Sequence, residues 1–202
     1  MAAAALNGLE LMLCPDFEMG KTNKSPEYLA KFPLGKIPAL ETSSGFTLTE
    51  SSAIAYYMCD SGPRREQLLG TTPEERALVQ QWVFFTTEQV IRSVSALVRP
   101  IVGVSPYDAD VEKQNAGDLR RWLAYFEAYM AGRTWILPGG TALSLADLSV
   151  AHGLRMGLRH YIDEEERSKY PNIMQWWDRV LAVPEVNKAF GGNQLLQKKP
   201  TA

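Results

Sequence analysis

The sequence has little cysteine and little histidine, with two of each among 202 residues. Cys14 and Cys59 are far apart and each lies in an apolar run, so both are predicted to be packed thiols in a reducing compartment rather than parts of a disulfide framework. A chain of this length buries a core that needs no support from a metal or a disulfide. We therefore expect no metal cofactor.

The sequence also lacks a large excess of charge of either sign and a long apolar run. Its 21 basic and 23 acidic side chains give a formal net charge of -2, which provides no basic surface for phosphates, so no direct nucleic-acid partner is expected. No stretch approaches the roughly 18 apolar residues of a membrane span, and the apolar start at residues 1–6 is short and has no basic residue. We expect a cytoplasmic protein with a small-molecule or protein partner and no membrane association.

The first part of the chain predicts short strands and helices. Residues 9–13 alternate between apolar and polar and then become apolar before Pro15, which is typical of a short strand. Ser25 and Pro26 are a capping residue and a proline at the first helical position, so a short helix is predicted to begin there. A hairpin and a further helix complete this part, at residues 37–40 with 46–48 and at residues 50–59.

The sequence becomes wholly helical after Ser61-Gly62-Pro63, which predicts a boundary between domains at residues 1–62 and 63–202. Thr72-Pro73-Glu74-Glu75 is a capping box that begins a long helix ending near Pro100. Ser144 and Asp147 form a second capping box at the start of a buried helix. Two more helices are predicted, over residues 119–130 and from Pro171 to the breaker Pro184.

Two motifs in the first domain are specific enough to indicate a family. Pro-Leu-Gly-Lys-Ile-Pro-Ala-Leu occupies residues 33–40, and Leu-Thr-Glu-Ser-Ser-Ala-Ile occupies residues 48–54. Together they resemble the signature of glutathione transferases, and Ser-Leu-Ala-Asp at 144–147 is similar to the folding box of that family. The branch that the chain most resembles contains the gamma subunit of eukaryotic elongation factor 1B, through Tyr28-Leu29, residues 33–38 and Gln-Trp-Val-Phe-Phe at 81–85.

The resemblance extends over residues 6–192 and implies a fold. That fold is α/β plus all-α, with a thioredoxin-like N-terminal domain followed by an all-helical glutathione-transferase C-terminal domain. Family members begin with a strand and a helix, and residues 2–8 resemble only the end of that helix. We therefore expect the thioredoxin-like domain to be incomplete at its N-terminus. Residues 9–13 then lose their usual sheet partner, so we expect them to move, to pair with another chain or to become disordered.

The resemblance also implies a set of glutathione-binding residues. Pro38 corresponds to the cis proline of the family, which exposes the backbone of Ile37 to the cysteinyl portion of glutathione. Glu50 faces the ammonium of the γ-glutamyl group, and the start of the next helix at Ser51 binds its carboxylate. Lys36 is placed to pair with the glycyl carboxylate.

A second set of residues is implied on the long helix that walls the substrate pocket in this family. Glu88, Arg92 and Arg99 share that helix, and we expect them to contact the substrate. The catalytic residue is not identified, because the tyrosine, serine or cysteine that stabilises the glutathione thiolate belongs to the missing helix. We therefore expect weak glutathione binding at best and negligible conjugation to a generic aromatic halide.

Three functions stay open on these residues. The first is a glutathione-transferase-like enzyme that acts on a small organic molecule in a specialised, secondary metabolic pathway. The second is a non-catalytic interaction module like the elongation factor 1B gamma subunit. The third is an isomerase, lyase or cyclase that uses the same cleft without glutathione chemistry. As is usual in the family, we expect a homodimer.

Overall fold

The computed structural model describes residues 1–199, which form two compact units. The first unit consists of Met1 and Ala3–Arg65, and the second consists of Ala2 and the chain from Glu66 onward. The first unit mixes short helices with a hairpin, and the described part of the second unit is helical.

The first unit contains a small sheet between short helices. Its described elements are α1 (Ala2–Leu6) apart from Ala2, a 3₁₀ turn (Thr22–Lys24), α2 (Pro26–Lys31), β1 (Ala39–Glu41), β2 (Thr47–Thr49), α3 (Ser51–Asp60) and the first residue of α4 (Arg65–Leu69). The predicted start of α2 is confirmed, since the Ser25 hydroxyl accepts a hydrogen bond from the Tyr28 N–H at 3.2 Å. The predicted hairpin is also confirmed, as β1 and β2 pair antiparallel.

The prediction of a strand at residues 9–13 is wrong. The sheet of the described residues contains β1 and β2, and residues 9–13 have no place in its ladder. Met12 is 93% exposed and Leu13 is 69% exposed. An alternating pattern becomes a strand only when another strand pairs with it, and no such partner lies beside this segment within residues 1–199. The expected loss of sheet pairing at this segment is therefore confirmed.

The two thiols differ in environment. Cys59 is fully buried in α3, as predicted, and burial raises the pKa of its thiol to about 12. Cys14 is exposed, so the prediction that it is a packed thiol is wrong. The reason is that Cys14 follows residues 9–13, whose backbone has no sheet that would bury the apolar run.

A buried asparagine links α1 to the end of α3 by hydrogen bonds. Asn7 is 1% exposed, and its side-chain amide donates to the carbonyl oxygens of Met58 and Cys59 at 2.7 and 2.9 Å. Its side-chain oxygen accepts a hydrogen bond from the Arg64 N–H at 2.7 Å. Asn7 therefore satisfies backbone groups at the end of α3 that helix geometry leaves without partners.

The second unit is built from helices, some of which begin at a capping side chain. After α4 they are α5 (Pro73–Phe85), a π turn (Thr86–Ile91), α6 (Arg92–Ile101), α7 (Ala109–Met130), α8 (Leu145–His160), α9 (Glu164–Arg167), α10 (Pro171–Leu181) and α11 (Pro184–Phe190). The predicted capping box at Thr72 and Glu75 is present, with the Thr72 hydroxyl accepting from the Glu75 N–H at 3.2 Å. The predicted long helix from Thr72 to near Pro100 is present as α5 and α6, with the π turn between them.

Pro184 follows the end of one helix and begins the next. Pro184 was expected to stop the preceding helix, and α10 does end at Leu181. Pro184 is also the first residue of α11, where its fixed φ and missing N–H are compatible with a helix.

A buried carboxylate organises the second unit. Asp147 is fully buried, and its carboxylate accepts four hydrogen bonds. The Ile136 N–H donates at 3.0 Å and the Trp176 indole N–H at 2.8 Å. The N–H and the hydroxyl of Ser144 each donate at 2.8 Å. Burial raises the pKa of Asp147, and these hydrogen bonds oppose that shift. The Ser144 hydroxyl thus binds the carboxylate, and the carboxylate binds the Ser144 N–H as a capping box requires.

The described residues 1–199 contain no helix that is long and apolar enough to cross a membrane. The same residues contain no group of three or more histidine, cysteine, aspartate or glutamate side chains arranged to hold a metal ion.

We predict that Asp147→Ala lowers the stability of the second unit by about 3 kcal/mol or more, because it leaves several buried donors without an acceptor. Ser144→Ala removes one of the four hydrogen bonds and is expected to cost about 1 kcal/mol. Urea unfolding followed by tryptophan fluorescence measures both changes. Equal, small losses in the two variants would contradict a central role for the carboxylate.

Candidate functional site

The register of the hairpin places two predicted site segments side by side. Ala39 of β1 lies opposite Thr49 of β2. Pro38 directly precedes β1 and Glu50 directly follows β2, so both lie at the same end of an antiparallel pair. The five predicted glutathione residues, Lys36, Ile37, Pro38, Glu50 and Ser51, are therefore brought together by one structural element.

The first segment presents an exposed backbone. The peptide bond between Ile37 and Pro38 is cis, as the resemblance implies. Ile37 is 48% exposed, and within residues 1–199 its N–H and C=O make no hydrogen bond. These two groups have the donor and acceptor spacing that an extended peptide needs to pair as an added strand.

Two side chains that sequence reasoning did not assign to the site hold this segment in place. The Tyr28 hydroxyl donates to the Lys36 carbonyl oxygen at 2.8 Å, and the amide of buried Asn23 donates to the Gly35 carbonyl oxygen at 2.6 Å. Gly35 has a φ of 58°, and a Cβ at that position would lie 2.8 Å from the Asn23 carbonyl oxygen. From the sequence, Tyr28 is identified only as part of the family resemblance, and no sequence pattern predicts a role for Asn23.

The second segment is the start of α3. Glu50 has a φ of 68°, which is uncommon for a residue with a side chain, and its carboxylate does not cap the helix. The first intrahelical hydrogen bond runs from the Ile54 N–H to the Glu50 carbonyl oxygen at 2.9 Å. The N–H of Ser51 precedes it and has no intrahelical acceptor, and the side chain of Ser51 is exposed. An anion at this helix start is favoured by the Ser51 N–H and by the helix dipole.

The charges at the two segments are complementary to an amino acid or a peptide. Exposed Lys36 supplies a cation and exposed Glu50 supplies an anion. An extended ligand carrying an ammonium and carboxylates can therefore be matched at each charged position while its backbone pairs with Ile37.

The second set of predicted residues lies in the second unit. Glu88 is in the π turn, Arg92 begins α6, and Arg99 is in the last turn of α6. All three are exposed. Arg92 and Arg99 are separated by seven residues, so they lie on the same face of α6, roughly 10 Å apart along the axis.

Both units resemble domains of known proteins. A sequence model of the glutathione S-transferase N-terminal domain matches residues 9–60, and one of the glutathione S-transferase C-terminal domain matches residues 91–184. A glutathione S-transferase-like protein of Aspergillus aculeatus is 43% identical over 203 aligned positions, which cover 100% of this chain and 94% of that protein. The chain belongs to the glutathione S-transferase family.

Two further comparisons show the breadth of the family. Human elongation factor 1-gamma is 32% identical over 201 aligned positions, covering 98% of this glutathione S-transferase-like chain and 44% of the human protein. A solved glutathione S-transferase-I, bound with lactoylglutathione, superposes with a TM-score of 0.78 and is 26% identical, covering 94% of this chain and 90% of its own. The thioredoxin-like N-terminal and helical C-terminal architecture is confirmed.

We predict that Tyr28→Phe loosens the segment at Lys36 and Ile37, because it deletes the hydroxyl that holds the Lys36 carbonyl. Amide hydrogen exchange at Gly35, whose N–H donates to the Phe32 carbonyl oxygen at 2.9 Å, should become roughly threefold faster, while exchange in α3 is unchanged. Tyr57→Phe is the control, since it removes a tyrosine hydroxyl from α3 and keeps the ring that lies 5.6 Å from the Phe46 ring. Equal exchange at Gly35 in the parent protein and in Tyr28→Phe would show that Tyr28 does not hold the loop.

Proposed function

We propose that this glutathione S-transferase-like protein is an enzyme that binds glutathione and acts on a small organic molecule in a specialised metabolic pathway. The main support is the hairpin register, which sets the exposed backbone of Ile37 beside the start of α3. Glutathione contains a peptide backbone, an ammonium group and two carboxylates, and the segments offer a partner for each. The relative solved with lactoylglutathione supports a glutathione-type ligand by analogy.

Each residue of the first unit has a distinct role in this proposal. The N–H and C=O of Ile37 pair with the cysteinyl residue, and Pro38 keeps that backbone exposed. Ser51 binds the γ-glutamyl carboxylate through its N–H and hydroxyl, and Glu50 binds the neighbouring ammonium. Lys36 binds the glycyl carboxylate.

The organic molecule is assigned to the second unit in this proposal. We call Glu88, Arg92 and Arg99 together the substrate face. Two guanidinium groups on one side of α6 favour a molecule with an anionic group, because guanidinium binds carboxylates in a bidentate way. No catalytic residue is assigned, so we propose weak glutathione affinity and slow conjugation to generic aromatic halides.

A second candidate is a non-catalytic interaction module. It is favoured by the 32% identity to elongation factor 1-gamma over 98% of this chain. The enzyme proposal is preferred because the Aspergillus aculeatus relative matches over 94% of its own length as well as all of this chain. Glutathione binding separates the two candidates, since only the enzyme needs it.

We predict that isothermal titration calorimetry detects weak glutathione binding and that Glu50→Ala weakens it by about fivefold to tenfold, through loss of one charge-assisted hydrogen bond. Glu41→Gln is the matched control, since Glu41 lies at the other end of the hairpin and pairs with Lys31 at 2.7 Å. Unchanged affinity in Glu50→Ala would place glutathione elsewhere. An absence of binding to the parent protein would favour the interaction module.

We also propose a cytoplasmic homodimer. The free thiols of Cys14 and Cys59 support a reducing compartment. Closed, symmetric pairs are the commonest assembly of soluble proteins. Sedimentation velocity at micromolar concentration should therefore give the mass of two chains. A single species with the mass of one chain, 22.5 kDa, would contradict the dimer and leave the glutathione site untouched.

A further inference from the structure

Hydroxyl groups at both ends of the π turn between α5 and α6 bond to the helix backbone. In a π turn each N–H donates to the carbonyl five residues earlier, which widens the helix, and such turns recur at functional sites. The Thr86 hydroxyl donates to the Trp82 carbonyl oxygen at 2.8 Å, and the Ser93 hydroxyl donates to the Gln89 carbonyl oxygen at 2.7 Å. Hydroxyl groups that bond to the preceding turn in this way bend helices.

The buried side of the π turn packs against a glycine of α8. A Cβ at Gly153 would lie 2.8 Å from Thr86 Cγ2 and 3.0 Å from Val90 Cγ1. Thr86 is 2% exposed and Val90 is fully buried, so neither side chain has free space to move into. Carbon atoms make favourable contact at about 3.5–4.0 Å, so any larger residue at Gly153 has to displace the turn.

The exposed side of the same turn carries part of the substrate face. Glu88 lies within the turn, and Arg92 follows it as the first residue of α6. The backbone that places Thr86 and Val90 against Gly153 also determines where the side chains of Glu88 and Arg92 begin. A displacement on the buried side is therefore transmitted to the exposed side, because close-packed interiors transmit strain.

We propose that Gly153 is a positioning residue for the substrate face. It admits the π turn against α8, and the π turn orients Glu88 and Arg92. That these side chains meet a substrate rests on the proposed function above. The link between Gly153 and their orientation is a property of the second unit and is tested without a ligand.

The test uses Gly153→Ala and two NMR measurements on the full chain. The side-chain Nε–Hε resonance of Arg92 should shift, and amide exchange over residues 86–92 should become about tenfold faster, because the added methyl group displaces the turn. Thr86→Ser on this background removes Cγ2, the nearest atom, and keeps the hydroxyl that binds Trp82. The double variant should return the Arg92 resonance and the exchange rates toward those of the parent.

Two control variants separate positioning from general loss of stability. Gly117→Ala introduces the same methyl group in α7, where a Cβ meets nothing within 4 Å. Ser144→Ala destabilises the second unit without touching the π turn. Neither variant should move the Arg92 resonance.

The proposal is overturned if Gly153→Ala leaves the Arg92 resonance and the exchange rates unchanged, or if Thr86→Ser fails to restore them. If Gly153→Ala does not fold, the double variant decides: a folded protein with parent-like resonances supports the proposal, and an unfolded one refutes it. Glutathione titration of the parent protein tests the proposed function separately, so the two ideas can fail independently.

Discussion

The antiparallel pairing of β1 with β2 is the interaction on which the candidate site depends. Because Ala39 lies opposite Thr49, the residues that precede one strand and follow the other meet at one end of the hairpin. A shift of one residue in this register would turn every side chain of the strand to the opposite face. Tyr28 and Asn23 extend the constraint to the loop before β1, since each donates a hydrogen bond to its backbone.

Helix α8 has the corresponding role in the second unit. Its first turn contains Asp147, which accepts hydrogen bonds from the Ile136 N–H and from Trp176 of α10. Farther along the same helix, Gly153 allows α8 to approach the side chains of Thr86 and Val90 in the π turn closely. One helix therefore fixes the buried polar network at its start and the geometry of the long helical run at its middle.

Membership of the glutathione S-transferase family accounts for the architecture and leaves the chemistry to individual residues. The same fold spans this chain, a relative of similar length from Aspergillus aculeatus and less than half of human elongation factor 1-gamma. An enzyme and an interaction module can share the hairpin and the helical unit. They differ in whether the exposed backbone at Ile37 and the helix start at Ser51 are used by a ligand.

The sequence by itself determined the elements whose causes are local. Ser25, Thr72 and Ser144 mark helix starts because a capping side chain bonds within a few residues, and the motifs around Pro38 and Glu50 indicate the candidate site. Only the tertiary structure decided that residues 9–13 are not a strand, that Cys14 is exposed and that the long helix contains a π turn. It also revealed Asn23 as a support of the loop before β1 in the candidate site. The physical reason is that ladder partners, burial and the approach of two helices depend on residues distant in sequence, and local patterns do not specify these.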